Sequence, residues 1–185
     1  YAKGKTSVTE PAPTRDHTER MLKGFGYDVD RNADTCSING QGQLVATDID
    51  VPSDISSATF FLVAAAICPG SDLVIEHVGM NPTRIGVVNI LRLMGADLKV
   101  QNEREVGGEP VADLHIKYAP LKGIHVPEDQ VPLAIDEFPA LMVAASCATG
   151  TTTITGAEEL RVKESDRIQA MVDGLSAMGV TIEGT

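Results

Sequence analysis

The sequence has no tryptophan, and aromatic residues make up only 4% of its 185 residues. A folded core must therefore be built mainly from Val, Ile, Leu, Ala and Met. Basic residues are also scarce, with 15 Lys and Arg against 26 Asp and Glu and a formal net charge of −11. This balance argues against a nucleic-acid-binding protein, for which a basic surface is expected. An anionic small molecule stays possible, because a local cluster of cations can create a positive cleft in an acidic protein.

Cysteines and long apolar runs are few. The three cysteines, Cys36, Cys68 and Cys147, form no CxxC pair and fit a reducing compartment better than a disulfide framework. We therefore expect a cytoplasmic protein, and we expect Cys68 and Cys147, which lie in apolar runs, to be buried. No apolar run reaches the ~18 residues of a membrane span, and no signal-peptide pattern is present. The four histidines lack the spacing of a metal site.

The chain repeats one outline three times, over residues 4–26, 70–95 and 150–179. Each copy contains a glycine, a β-rich run that predicts a strand (residues 151–154 in the third copy), a polar connection, an amphipathic helix pattern and a closing glycine. In the second copy, apolar residues recur at helical spacing. The closing glycines favour the left-handed conformation that often ends a helix, and they are Gly26, Gly95 and Gly179.

Two further segments, 56–66 and 136–145, precede the second and third copies. Both are apolar on nearly every face, which predicts buried helices. Ser53 or Asp54 is a candidate cap for the first helix, and Asp136 for the second.

The combined pattern is strand, buried helix, strand, outer helix, strand, which predicts an α/β fold built from repeated units with buried helices. Alternating apolar residues and flanking turn signals predict further strands at 96–100, 113–117, 123–126 and 180–183. We place the most favourable domain crossover within residues 46–53.

Residues 158–167 carry the densest set of candidate functional groups. Their charges alternate in sign along a strand-to-helix connection, where ligand-binding groups are often found. Arginine suits a carboxylate or phosphate, lysine offers a point charge, and Glu164 beside two cations could act as an acid or base. The alternative is a solvated helix start whose charges pair with one another.

Three other residues are weaker candidates. Asp136 either caps the buried helix or faces a cleft, and the two roles are compatible. Arg15 and Arg84 occupy equivalent connections in the first two repeats, where each could meet an anion near a helix N-terminus.

Residues 159–167 (ELRVKESDR) resemble the R-V-K-E-[ST]-D-R signature of the 5-enolpyruvylshikimate-3-phosphate synthase family. Residues 14–22 (TRDHTERML) are similar to that family's T-R-D-H-T-E-x-M-L segment. Residues 80–84 (MNPTR) and 135–139 (IDEFP) also match, and they indicate the bacterial class II branch known for glyphosate-tolerant members. The resemblance covers essentially the whole chain.

The resemblance implies the family's enolpyruvyl transferase-like fold, with two domains of three repeated units each and the active site between them. Residues 1–50 would then finish one domain. Residues 51–185 would supply two units and part of a third in the other. The implied reaction transfers the enolpyruvyl group of phosphoenolpyruvate to the 5-hydroxyl of shikimate 3-phosphate and releases phosphate. It uses no metal or organic cofactor.

The family match also implies individual roles. Asp136 would handle the proton of the attacking hydroxyl, and Glu164 the proton at the enol methylene carbon. Lys163 would bridge the two substrates, Arg167 would hold the phosphoenolpyruvate carboxylate, and Arg15 would help to hold shikimate 3-phosphate. Two strongly anionic substrates need several cations, so these roles are chemically consistent.

Several family features have no match here, including the N-terminal Lys-Ser contacts, the glycine-rich loop and a Ser-x-Gln phosphate contact. The chain also begins with Tyr1 rather than Met. We therefore expect part of a longer enzyme, with the missing half of the same enzyme as its partner and little activity alone. A related transferase acting on a UDP-amino sugar is disfavoured by residues 161–167. A pure binding module is disfavoured because both Asp136 and Glu164 are present.

Overall fold

The computed structural model describes residues 1–10 and 14–185. Helices and strands are interspersed along these ranges, which confirms the α/β class. The strands are β1 (Lys5–Thr9), β2 (Asp30–Asn32), β3 (Thr35–Asn39), β4 (Asp72–Gly79), β5 (Asp97–Val106) and β6 (Glu109–Lys117). The α-helices are α1 (His17–Gly24), α2 (Ile55–Ile67), α3 (Gly86–Leu93), α4 (Phe138–Ser146) and α5 (Arg167–Ala177). Short 3₁₀ turns occur at Glu128–Gln130, Pro132–Ala134 and Glu158–Val162.

The strands form two antiparallel sheets of three strands each. The first sheet has the order β1-β3-β2, and the second has the order β4-β6-β5. Gly107 and Gly108 join β5 to β6 with φ angles of 59° and 82°, so this tight turn uses the left-handed region that glycine adopts without strain. The predicted strands at 96–100 and 113–117 are confirmed, the first by β5, which begins at Asp97, and the second within β6.

The core lies between α2, α3, α4 and one face of the second sheet. Helix α2 packs against α4 and against β4 and β6, while α3 lies against β5 and the 3₁₀ turns before α4. Leu62, Leu91, Leu114 and Phe138 are fully buried there. Each such side chain contributes about 1.5–3 kcal/mol when it leaves water. The core is mainly aliphatic, as the composition predicts.

Three predicted strands do not form. Residues 123–126 and 151–154 share one isolated parallel bridge, between His125 and Thr153, and a second such bridge joins Lys122 to Thr149 just before the two runs. Residues 180–183 belong to no strand. The first two runs exchange only a few backbone hydrogen bonds, including Thr153 N–H to Ile124 O and Val126 N–H to Thr153 O, both at 2.9 Å, and these do not extend into a regular ladder.

The helix ends follow the sequence in most places. Asp54 caps α2, because its carboxylate accepts hydrogen bonds from the Ser57 backbone N–H and hydroxyl, both at 2.9 Å. The closing glycines stand at φ angles of 75°, 93° and 87°, as predicted, at Gly26, Gly95 and Gly179.

The predicted cap of α4 is wrong. Glu137 rather than Asp136 stands at the N-cap, and its side chain makes no capping bond. Pro139 in the first turn has no N–H, so one usual target of a capping side chain is missing. The Asp136 carboxylate is therefore available for other partners.

Two burial predictions also fail. Helix α2 is buried on most sides, but Phe60 and Phe61 are 67% and 63% exposed, because α4 and the second sheet cover only its other faces. Cys68 and Cys147 are exposed. They are the C-cap residues of α2 and α4, where the packed turns end.

The region before α2 contributes little to the core. Among its described residues up to 50, only Val29 and Ser37 are buried. Residues 43–52, which contain most of the predicted crossover, have no helix or strand. The division into domains at residue 50 stays a prediction. In the described parts of the chain, no helix is both long and apolar enough to cross a membrane.

Candidate active site

The beginnings of α1, α4 and α5 meet at one carboxylate, that of Asp136. Arg15, just before α1, donates a hydrogen bond to Asp136 Oδ2. Arg167, the first residue of α5, donates from Nη1 to Asp136 Oδ1 at 3.3 Å. Three chain segments that are distant in the sequence therefore place their polar groups at one point.

The start of α1 is fixed by contacts with Asn81 and Glu109, which are distant from it in the sequence. Asn81, which is buried, donates from Nδ2 to Asp16 Oδ1 at 2.7 Å and to Glu109 Oε2 at 3.0 Å. The His17 Nδ1 atom pairs with Glu109 Oε1 at 2.7 Å. Asp16 and His17 directly follow Arg15, so these contacts fix the backbone beside Arg15 relative to Asn81 and Glu109.

The start of α5 places the remaining charged groups. Asp166 caps this helix by accepting a hydrogen bond from the Gln169 backbone N–H at 2.9 Å. Arg167 then meets Glu164 through two bonds, Nε to Oε1 at 3.0 Å and Nη2 to Oε2 at 2.8 Å. Lys163 pairs with Glu159. The predicted charged connection is therefore a short run of paired groups at a helix start.

Opposing effects act on the pKa of Asp136. Partial burial raises this pKa, but the hydrogen bond and charge of Arg15, the bond from Arg167 and the charge of Lys163 lower it. The net pKa lies below the ordinary value of 3.8. Asp136 is consequently ionised at neutral pH, as an acceptor of protons must be.

Glu164 also has a lowered pKa. The main cause is the hydrogen bond from Arg167, followed by a backbone hydrogen bond, and the charges of Arg167 and Lys163 act in the same direction. The Glu164 side chain is 68% exposed, so solvent screens these interactions. The same contact with Glu164 raises the pKa of the Arg167 guanidinium.

The arrangement suits exchange with an anion. Arg15 and Arg167 contact carboxylates of the chain itself, and Lys163 does the same. An incoming carboxylate or phosphate can replace these partners and still satisfy the guanidinium fork geometry. Its arrival would free Asp136 and Glu164 for proton transfer.

A second polar cluster, which we call the anchor cluster, consists of Asp54, Ser56, Arg84 and Glu137. Glu137 is only 4% exposed and accepts a hydrogen bond from the Ser56 hydroxyl. Arg84 donates to the same hydroxyl, pairs with Asp54 at 3.0 Å and lies 4.0 Å from Glu137. Burial raises the pKa of Glu137, which the Ser56 hydrogen bond and the Arg84 charge partly offset. This cluster joins the starts of α2 and α4.

The structure brings four of the five predicted site residues into direct contact. Arg15, Asp136, Arg167 and Glu164 form one chain of ion pairs. Lys163 acts on this group through its charge while its ammonium contacts Glu159. The alternative of mutual charge pairing at a helix start is observed, and the roles of these residues in binding and catalysis stay predictions.

Arg84 does not match the anion site considered for it, because its side chain is largely enclosed by the anchor cluster. The role of Glu137 was not predicted, since nothing in the local sequence links it to Ser56. The repeat alignment offered a signal, because Ser56 and Asp136 stand equally far before Gly70 and Gly150. Within the described ranges, no group of three His, Cys, Asp or Glu side chains is arranged to hold a metal ion.

The fold is that of the enolpyruvyl transferases. The enolpyruvyl transferase NikO from Streptomyces tendae aligns with a TM-score of 0.59 over 82% of this chain and 35% of its own, at 19% identity. At that identity the likeness shows the fold alone. A solved EPSP synthase from Acinetobacter baumannii is much more similar, with a TM-score of 0.95 and 66% identity over 100% of this chain and 42% of its own.

Sequence comparison specifies the family. The sequence model of the protein family EPSP synthase (3-phosphoshikimate 1-carboxyvinyltransferase) matches residues 1–185. The 3-phosphoshikimate 1-carboxyvinyltransferase of Alkalilimnicola ehrlichii is 69% identical over 99% of this chain and 41% of its own length. That of Methylococcus capsulatus is 66% identical over 100% of this chain and 42% of its own. The chain belongs to the EPSP synthase family, and it spans about two fifths of the length of these relatives.

Proposed function

We propose that the enzyme containing this chain transfers the enolpyruvyl group of phosphoenolpyruvate to the 5-hydroxyl of shikimate 3-phosphate and releases phosphate. The observation that supports this most directly is Asp136 held between Arg15 and Arg167, with Glu164 on Arg167, in a chain of the EPSP synthase family. The site offers both the cations that two anionic substrates need and two carboxyls for proton transfer.

The binding roles follow from the exchange of partners described above. Arg167, which already makes a two-bond contact with a carboxylate, would hold the carboxylate of phosphoenolpyruvate. Arg15 would help to hold shikimate 3-phosphate, and Lys163 would lie between the two substrates. No metal or organic cofactor is needed for these steps.

The chemistry is an addition followed by an elimination. In the addition, the 5-hydroxyl oxygen bonds to C2 of phosphoenolpyruvate, Asp136 takes the hydroxyl proton, and Glu164 gives a proton to the methylene carbon. In the elimination, the C–O bond to phosphate breaks and Glu164 takes a proton back from the new methyl group. The carbon–carbon double bond is restored, and phosphate leaves with the electron pair.

Glu164 must be protonated for the first step, although its pKa is lowered in this structure. Arg167 is the main cause of that lowering. When Arg167 turns to the substrate carboxylate, it no longer favours the charged form of Glu164. Substrate binding would therefore raise the pKa of Glu164 and prepare it to donate a proton.

The chain would supply about half of this active site. We propose that residues 1–50 finish one domain and residues 51–185 form most of the other, with the remaining substrate contacts coming from the rest of the same enzyme. Alone, the chain is expected to be inactive or nearly so. A cytoplasmic location, in the shikimate pathway to aromatic amino acids, fits the reducing environment expected for its cysteines.

The test uses a reconstituted enzyme, in which residues 1–185 replace the matching segment of the Acinetobacter baumannii EPSP synthase. Phosphate release from phosphoenolpyruvate is measured with shikimate 3-phosphate, with a UDP-amino sugar, and with no acceptor. We expect release only with shikimate 3-phosphate. Glu164→Gln should abolish turnover while shikimate 3-phosphate still binds.

The other outcomes separate the alternatives. Release that depends on the UDP-amino sugar would indicate the related transferase. Binding of shikimate 3-phosphate without any phosphate release would indicate a binding module, and the catalytic roles of Asp136 and Glu164 would then be withdrawn.

A further inference from the structure

We infer that Glu137 is a positioning residue that acts through Asp136: anchored to Ser56 and Arg84, it fixes the peptide that presents the Asp136 carboxylate. This inference rests on the proposed function of the site. It assigns a role to a buried carboxyl that makes none of the contacts described for the candidate active site.

The geometry separates two adjacent carboxyls. Asp136 turns toward Arg15 and Arg167, and its side chain is 30% exposed. Glu137 turns inward, and its carboxylate accepts a hydrogen bond from the Ser56 hydroxyl. The Glu137 backbone is also tied to the polypeptide on both sides, because its N–H bonds to Ala134 O at 3.0 Å and its C=O accepts the Leu141 N–H at 3.0 Å. The residue next to the proposed base is therefore held by both its backbone and its side chain.

The repeat explains why the anchor lies there. Ser56 and Asp136 occupy equivalent positions in the two units. Each accepts a hydrogen bond from the arginine that precedes or begins the next helix, which is Arg84 for Ser56 and Arg167 for Asp136. Glu137, the residue after Asp136, joins these two positions because its carboxylate accepts a hydrogen bond from the Ser56 hydroxyl. A displacement of α2 relative to α4 would move Asp136 through this link.

A buried carboxyl is not needed if the role of Glu137 is only to hold the backbone in place. Burying a charge is costly unless it is paired, and a neutral hydrogen-bonding side chain could accept from Ser56 equally well. The charged groups that face Glu137 are Arg84, on the segment before α3, and Asp136 itself. Removing the Glu137 charge would favour the ionised form of Asp136 and make it a weaker base.

The chain provides a matched control in Asp54. This residue is the other carboxylate paired with Arg84, but it is not adjacent to Asp136. Asp54→Asn and Glu137→Gln each remove one carboxylate charge from the anchor cluster. Asparagine also keeps the capping ability of residue 54.

In the reconstituted enzyme, we expect Glu137→Gln to lower kcat by about tenfold or more, but by no more than the ~100- to 10,000-fold that a positioned acid or base contributes. The KM for each substrate should stay within about twofold of wild type, since the binding cations keep their partners. The acidic limb of the kcat–pH profile should move to lower pH. Asp54→Asn should leave both kcat and the limb unchanged.

The inference is overturned if Glu137→Gln and Asp54→Asn give the same kcat and the same acidic limb. If Glu137→Gln does not fold, Ser56→Ala removes the same link while keeping both carboxyls. It should then lower kcat without moving the limb, and wild-type kcat in Ser56→Ala would also overturn the inference. A wild-type reconstituted enzyme that releases no phosphate instead contradicts the proposed function, and the inference fails with it.

Discussion

The two repeat units that begin with α2 and α4 use one outline for different purposes. In both, a buried helix is followed by an extended segment and an arginine that leads into a second helix. In the first unit, Arg84 is enclosed by Asp54, Ser56 and Glu137. In the second, Arg167 lies beside Asp136 and the well-exposed Glu164.

The second helices differ in the same way. Helix α3 is buried along most of its length, and five of its eight residues are inside the core. Helix α5 buries only Leu175. The extended segment of the first unit is a full strand, β4, whereas residues 151–154 make a single isolated bridge.

The comparison shows how equivalent arginines in a repeated fold can serve either stability or ligand binding. An arginine at the start of a helix stabilises a core when its partners are enclosed, because buried ion pairs are sensitive to the loss of either member. The same residue can bind a ligand when its partners face solvent and are easily exchanged. The surroundings, rather than the residue type, separate the two roles.

The largest expected effect is on turnover and comes from the second unit. Asp136→Asn in the reconstituted enzyme should lower kcat by about 100- to 10,000-fold, because asparagine cannot take the proton of the attacking hydroxyl. Asp54→Asn, which removes the carboxylate paired with Arg84 in the first unit, should change kcat by less than about twofold. Initial rates of phosphate release measure both. Substantial turnover in Asp136→Asn would remove the distinction between the two units.

The next effect is on stability and comes from the first unit. Arg84→Ala should lower the free energy of unfolding by roughly 2–3 kcal/mol, because it leaves Glu137 buried without its cation. Arg167→Ala should leave the unfolding midpoint close to wild type and should weaken phosphoenolpyruvate binding instead. Urea unfolding and ligand titration test the pair. Equal midpoints for the two variants would contradict the proposed division of roles.

Much of this organisation is visible in the sequence. The glycine-bounded repeats, the apolar helices and the Asp54 cap depend on local chemistry, which is why patterns of single residues predict them. The five candidate site residues were found because they lie in strand-to-helix connections and match a family signature.

The rest depends on which surfaces meet. The strands expected at 123–126 and 151–154 pair with each other through a single isolated bridge, and the extent of that pairing cannot be judged from either segment alone. The expected Asp136 cap fails because Pro139 removes a donor in the first turn. The Glu137–Ser56 contact depends on how α2 and α4 pack, and hydrophobicity does not specify that packing for helices that are apolar on most faces.

A third prediction compares the two second helices directly. A Cβ added at Gly86, in α3, would lie 2.7 Å from Leu133 C and 2.8 Å from Gln130 O. Gly86→Ala should therefore destabilise the protein by about 1–3 kcal/mol. A Cβ at Gly174, in α5, meets nothing within 4 Å among the described residues. Gly174→Ala should stabilise the helix by about 0.5–1 kcal/mol, and opposite shifts in the urea midpoint would confirm the contrast.

The smallest effect is a difference in pH dependence within the anchor cluster. The pKa of Asp54 is lowered from 3.8, because hydrogen bonds from Ser57 and the charge of Arg84 outweigh partial burial. Its contribution to stability is therefore present above pH 3.8 and is lost as the pH falls through the lower folded-state value. The pKa of Glu137 is raised from 4.5, mainly by burial, so its contribution is present below pH 4.5 and is lost as the pH rises.

The two charge-removing variants should consequently diverge from wild type in opposite directions as the pH increases. Between pH 3 and pH 7, Asp54→Asn should become progressively less stable relative to wild type, while Glu137→Gln should become progressively more stable relative to wild type. Thermal unfolding at a series of pH values measures both trends. Parallel curves would show that Glu137 shares the exposed, solvent-screened environment of Asp54, and the contrast between an enclosed unit and an open one would then lose its clearest electrostatic support.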